Sequence, residues 1–102
     1  MRLPAMYRIR QKVDPPVVKD IVSAVRTEIR KLNLAARLKP GARVAVTGGS
    51  RGVANIATIL RTTCDCLKEL GAQPFIVPAM GSHGGATAEG QLKVLARYGV
   101  TP

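Results

Sequence analysis

Aromatic side chains are scarce: 102 residues hold two Tyr, one Phe and no Trp. That shortage works against a nucleic-acid surface, which usually pairs basic groups with stacking rings. Cysteine is scarce too. Cys64 and Cys66 are the only two, too few for a disulfide framework. On a helix they point about 200° apart, so they are read as small helix residues and not as a shared metal site. One histidine, His83, does not make a metal set. No stretch approaches the roughly 18 apolar residues of a membrane span. Met1-Arg2-Leu3-Pro4-Ala5-Met6 lacks the apolar core of a leader peptide. The expectation is a cytoplasmic protein with no membrane contact.

Acidic residues are few as well, six against sixteen Lys and Arg, for a net charge of +10. The excess is uneven: residues 1–43 carry +8 and residues 44–102 carry +2. A basic first part can meet nucleic acid or another anionic partner. The scattered basic residues fit a solvated helix face better. Hydrophobic residues make up 46% and charged residues 22%. That balance is ordinary for one globular domain.

Along the chain, Tyr7, Ile9, Gln11 and Val13 alternate with Arg8, Arg10 and Lys12, which predicts a half-exposed strand. Asp14-Pro15-Pro16 is a helix-start signal. Val18, Ile21, Val22, Val25, Ile29 and Leu32 then form one stripe of an amphipathic helix. Pro40-Gly41 predicts a turn. Arg43–Thr47 reads as a short apolar strand, and Gly48-Gly49-Ser50-Arg51-Gly52 as a glycine-rich loop. A second helix is predicted from Val53 to Leu70, closed by Gly71. Pro74–Pro78 is the next strand, followed by a second loop, Met80-Gly81-Ser82-His83-Gly84-Gly85-Ala86-Thr87. A third helix is predicted over Ala88–Tyr98, with Thr87 as its cap, Leu92, Leu95 and Ala96 inward, and Gly99 as its stop.

Alternating strands and helices predict an α/β fold: a Rossmann-like parallel or mixed sheet with flanking helices. Three helices hardly cover both faces of such a sheet. The expectation is that residues 1–102 are the N-terminal part of a larger two-domain fold.

Ligands of such sheets bind beyond the carboxyl ends of the strands. Both glycine-rich loops leave from that edge, and each leads into a helix N-terminus, where an anion is favoured. If the strands are neighbours, the loops line one crevice. Arg51 offers a planar fork for a carboxylate or phosphate. His83 sits among glycines, and an imidazole exchanges protons near neutral pH. Gly49, Ser50, Gly81 and Ser82 complete the candidate anion-binding set. The first loop, Thr47 to Ala54, also looks like the fingerprint of short-chain dehydrogenases. Ala54 stands where the last glycine should be, however, and Pro78-Ala79-Met80 follows the second strand where a ribose-reading side chain is expected.

Taken together, Gly49-Ser50-Arg51-Gly52-Val53-Ala54-Asn55-Ile56 and Pro78-Ala79-Met80-Gly81-Ser82-His83-Gly84-Gly85-Ala86-Thr87 resemble the N-terminal domain of the lactate racemase-like family. The resemblance runs from about Pro40 to Gly99. It implies a nickel-dependent 2-hydroxy-acid racemase with its active site between two domains. A nickel pincer nucleotide takes and returns the α-hydride in that family, and a histidine removes the hydroxyl proton. By this resemblance His83 is one of the two acid/base histidines, and Arg51 holds the substrate or cofactor anion. The sequence departs from the family pattern at two positions. Gly48 stands where the racemases carry aspartate, and Gly84 where they commonly carry arginine. The second histidine, the cofactor lysine and the nickel-ligating histidine are expected beyond Pro102. This chain alone is expected to bind no cofactor and to be inactive. Its expected partners are a small 2-hydroxy acid or other anion and a C-terminal domain, with nucleic acid the alternative.

Overall fold

The computed structural model describes residues 4–49 and 52–102. It is a mixed α/β fold with three helices and a two-stranded parallel sheet. In order, the elements are α1 (Ile21–Lys31), β1 (Arg43–Gly48), α2 (Ile56–Glu69), β2 (Gln73–Pro78) and α3 (Ala88–Arg97). Short 3-10 turns at Leu34–Ala36 and His83–Ala86 lie between them.

The strands are direct neighbours, paired from Arg43↔Gln73 to Gly48↔Pro78. Their side chains alternate. Val44, Val46 and Gly48 share one covered face with Pro74 and Ile76. Both α2 and α3 pack on this face. A Cβ on Gly48 would lie 3.2 Å from Leu95 of α3 and 3.3 Å from Ile76. Leu95 is 2% exposed, and Ile56, Leu60, Cys66 and Leu67 of α2 complete most of the core. The opposite face is open: Ala45, Thr47, Phe75 and Val77 are exposed there, and Arg43 stacks over the Phe75 ring at 5.0 Å, a cation–π contact. Strands this apolar are usually buried on both faces, but here one face stays open because every described helix that touches the sheet lies on one side of it.

Helix ends follow local chemistry. Both α2 and α3 close with Schellman motifs. Gly71 (φ 79°) and Gly99 (φ 81°) take the left-handed position. The Ala72 N–H donates to the Leu67 carbonyl and the Val100 N–H to the Leu95 carbonyl. Helix α1 begins later than Asp14-Pro15-Pro16 suggested. Asp20 is its cap, with its carboxylate accepting the Ser23 N–H at 2.9 Å, so Val17 and Val18 stay outside the helix. Helix α2 begins at Ile56, not Val53, after Asn55 in a left-handed conformation (φ 58°). Val53 is accordingly exposed. In α3 only Leu95 is buried. Leu92, at 55% exposure, and Ala96 face solvent, because α3 meets the sheet along a narrow line centred on Leu95.

The predicted strand over Tyr7–Val13 is a correction as well. Residues 4–18 form no regular element, and residues 4–19 make no hydrogen bond to another described residue. A strand needs a hydrogen-bonded neighbour, and among the described residues this arm has none. It lengthens the molecule to 65 × 34 × 24 Å, with a radius of gyration of 18.6 Å. A compact chain of this length has about 13 Å.

Candidate functional site

Parallel pairing brings the two loops out side by side. Gly48 and Pro78 are register partners, and the Ala79 N–H donates to the Gly48 carbonyl at 2.8 Å. The predicted meeting of the loops at one strand edge is thus met at the level of the backbone. Ser50 and Arg51 lie outside the described residues. Gly49 is half-buried, with room for a side chain, and Gly52 (φ 94°) takes a left-handed turn before α2.

The second loop is a built object. Gly84, Gly85 and Ala86 are all left-handed, at φ 63°, 67° and 56°. This path folds the loop onto the first turn of α3. A Cβ on Gly84 would collide with the Gly90 backbone, and one on Gly90 would overlap the Gly84 carbonyl oxygen. The two glycines are needed because backbone meets backbone. Thr87 clamps the contact: its hydroxyl donates to the Gly84 carbonyl at 3.2 Å and accepts the Gly90 N–H at 3.1 Å. Gln91 Nε2 donates to the Gly81 carbonyl at 2.7 Å. Two features of this helix start bear on the anion expected there. Thr87 already accepts one of its free N–H groups, and Glu89 places a carboxylate in the first turn, where an incoming anion would otherwise gain from the helix dipole.

His83 heads the 3-10 turn and is half-buried; its N–H donates to the Met80 carbonyl at 3.2 Å. It opens into a shallow groove of about 400 Å³ lined also by Gly84, Val94, Arg97 and Tyr98. No described residue of the first loop lines this groove. The imidazole therefore shares its surroundings with α3 and not with Gly49. Ser82, beside it, is exposed and makes no side-chain cap bond. Gly81 (φ 59°) engages its carbonyl with Gln91, a helix clasp that the loop composition did not reveal.

Arg97 was not singled out from the sequence. It lies in the last turn of α3, one turn past Lys93. The signal was spatial: Val94, Arg97 and Tyr98 lie three and four residues apart, so they share the side of α3 that the folded-back loop reaches. The groove now joins an imidazole, a guanidinium and a phenol, a set that can hold a small anion and exchange a proton with it.

A second hollow of about 240 Å³ lies between α1 and α2. Across it Arg26 and Glu69 form a two-pronged pair at 2.9 and 2.8 Å. Hydrogen bonding from Arg26 holds the Glu69 carboxyl below the usual carboxylate range. Burial pushes the Cys64 thiol up. Among the described residues no three His, Cys, Asp or Glu side chains gather as a metal-binding group. The nickel group implied by the resemblance therefore finds no ligand set among the described residues.

The two departures from the racemase pattern are places where the packing leaves little room. A side chain at position 48 presses on Leu95 and Ile76, and one at position 84 meets the backbone of Gly90. Compared with protein-family models, with curated proteins and with solved structures, the chain finds no match.

Proposed function

We propose that this chain is the N-terminal segment of a lactate racemase-like isomerase and supplies a proton-transferring and anion-holding edge to its active site. In this reading the paired strands are the nucleus of a larger Rossmann-like sheet in a two-domain cytoplasmic enzyme. The substrate is a small 2-hydroxy acid. His83 takes the hydroxyl proton as one hand of the acid becomes the 2-keto acid and gives it back when that hand re-forms, while the α-hydride would pass to and from the nickel group that the resemblance implies. A guanidinium pins the carboxylate so that the α-carbon is presented in one orientation. Arg51 is the expected guanidinium, with Gly49, Ser50, Gly81 and Ser82 around the anion, and Arg97 is a second one beside His83.

One observation carries the reading. Two glycine-rich loops, separated in the chain by the whole of α2 and β2, leave neighbouring ends of parallel strands at Gly48 and Pro78, and one of them bears the only histidine. The test is titration of the chain with D- and L-lactate while the His83 ring resonances are followed by NMR. Saturable shifts that vanish in Arg51→Gln or in Arg97→Gln support it and assign the guanidinium. Ring signals that respond to lactate no more than to chloride end it.

A further inference from the structure

Two amphipathic stretches that adjoin in sequence are both left without a core. Tyr7 is 84% and Ile9 89% exposed, and Val13 beyond them is exposed too. Helix α1 is strongly two-faced in sequence, yet not one of its residues is buried. Ile21, Val25 and Ile29 are only half-covered, and Val22 is exposed. One flank of α1 meets α2, where Arg26 grips Glu69. Nothing among the described residues underlies the rest of its apolar stripe. Next to it, β1 has β2 on one side and, among the described residues, a free edge on the other.

We propose that Tyr7–Val13 docks as a third parallel strand on the free edge of β1, beneath α1. Direction, length and pattern all fit. Helix α1 leads through the Leu34–Ala36 turn into the start of β1, as α2 leads into the start of β2. Both helices therefore run against the strands, with their C-terminal ends together at the Arg26–Glu69 side. A right-handed crossover from the added strand through α1 to β1 puts α1 on the face that α2 occupies when the new strand lies on the far side of β1 from β2. The seven residues Tyr7–Val13 match the six of β1 and β2. The linker from Asp14 to Asp20 is short enough to keep the arm near its own sheet, so the intramolecular edge outcompetes a second copy at ordinary concentrations. Period-two alternation then sends Tyr7, Ile9, Gln11 and Val13 to the face beneath α1. Arg8, Arg10 and Lys12 emerge on the open face beside Arg43, which accounts for their charge.

Hydrogen exchange by NMR on the full chain tests this, with α2 amides as the folded reference. Docking is expected to slow the amides of residues 7–13 by about tenfold or more relative to an unstructured peptide. The slowing should be independent of protein concentration, with the chain sedimenting as a monomer. Ile9→Asp should abolish it and Arg8→Asp should leave it, because only Ile9 faces inward. Exchange at the unstructured rate overturns the proposal. So does protection that appears only as a dimer forms, which would make a second copy the occupant, or equal loss in the two variants.

Discussion

Helices α1 and α2 carry the same kind of apolar stripe but different amounts of core. Helix α2 buries Ile56, Leu60, Thr62, Cys66 and Leu67, while α1 buries none. The difference lies beneath them. Helix α2 lies over two paired strands, whereas α1 has α2 at its flank and no described strand under it. A hydrophobic period says which face of a helix seeks cover. It does not say that cover is present. The same contrast divides the whole molecule. From Arg43 onward every helix and strand packs on another, whereas residues 4–19 form no hydrogen bond to another described residue.

Several changes can break or sharpen this contrast. The largest effect is expected in the closely packed half. Gly90→Ala drives a Cβ into the Gly84 carbonyl oxygen. The loop must move to admit it, and the loss should reach several kcal/mol, as in an overpacked core. Gly85 is left-handed but faces open space. Gly85→Ala should therefore cost about 1–2 kcal/mol, the penalty of a side chain in that conformation alone. Urea unfolding of the pair separates backbone contact from backbone conformation, and equal losses would remove the contact from the account.

Next comes Leu67 in α2, a residue 4% exposed. Leu67→Ala should cost about 2–5 kcal/mol. Val22→Ala, on the uncovered helix, should stay within about 0.5 kcal/mol. Similar midpoint shifts for the two would show that α1 is as well buried as α2.

Smaller again are the caps. Thr87 and Asp20 each accept a backbone N–H at a helix start. Replacing either by Ala should cost about 1 kcal/mol. Thr87→Ala should lower global stability, since α3 holds Leu95 over the sheet. Asp20→Ala should raise amide exchange in α1 alone. Global loss from Asp20→Ala would tie α1 into the core.

The smallest concerns Glu69. Its carboxyl is held low by Arg26. The pair therefore stabilises the fold above the unfolded carboxylate range and is lost as pH falls through the lower folded value. Thermal melts should show the wild type losing its advantage over Glu69→Gln below about pH 4.5, the ordinary carboxyl value. An unchanged difference between pH 7 and pH 3 would mean that the pair does not hold α1.

Strands β1 and β2, the two Schellman glycines and the Thr87 cap were legible because each depends on a few neighbouring residues. Asp20 displaced Asp14 as the cap because its carboxylate meets the Ser23 N–H, a choice between two local signals that only geometry resolves. Leu92 and Ala96 were placed inward by period alone, and the narrow seat of α3 left them in solvent. Of the candidate site, His83 was visible as a lone imidazole among glycines. Its neighbour Arg97 was not, since nothing local announces that a loop will fold back over the helix that follows it.

The order of residues by itself determined which of the segments from α1 onward form helix or strand, where most of them stop and which face of each is apolar. Those outcomes rest on backbone hydrogen bonds and side-chain period within a few residues. Tertiary structure alone decided which apolar faces find cover, which strand edges stay free and which side chains share the His83 groove. Each of those depends on surfaces from distant parts of the chain meeting, and burial of apolar area favours a meeting only where complementary surface is within reach.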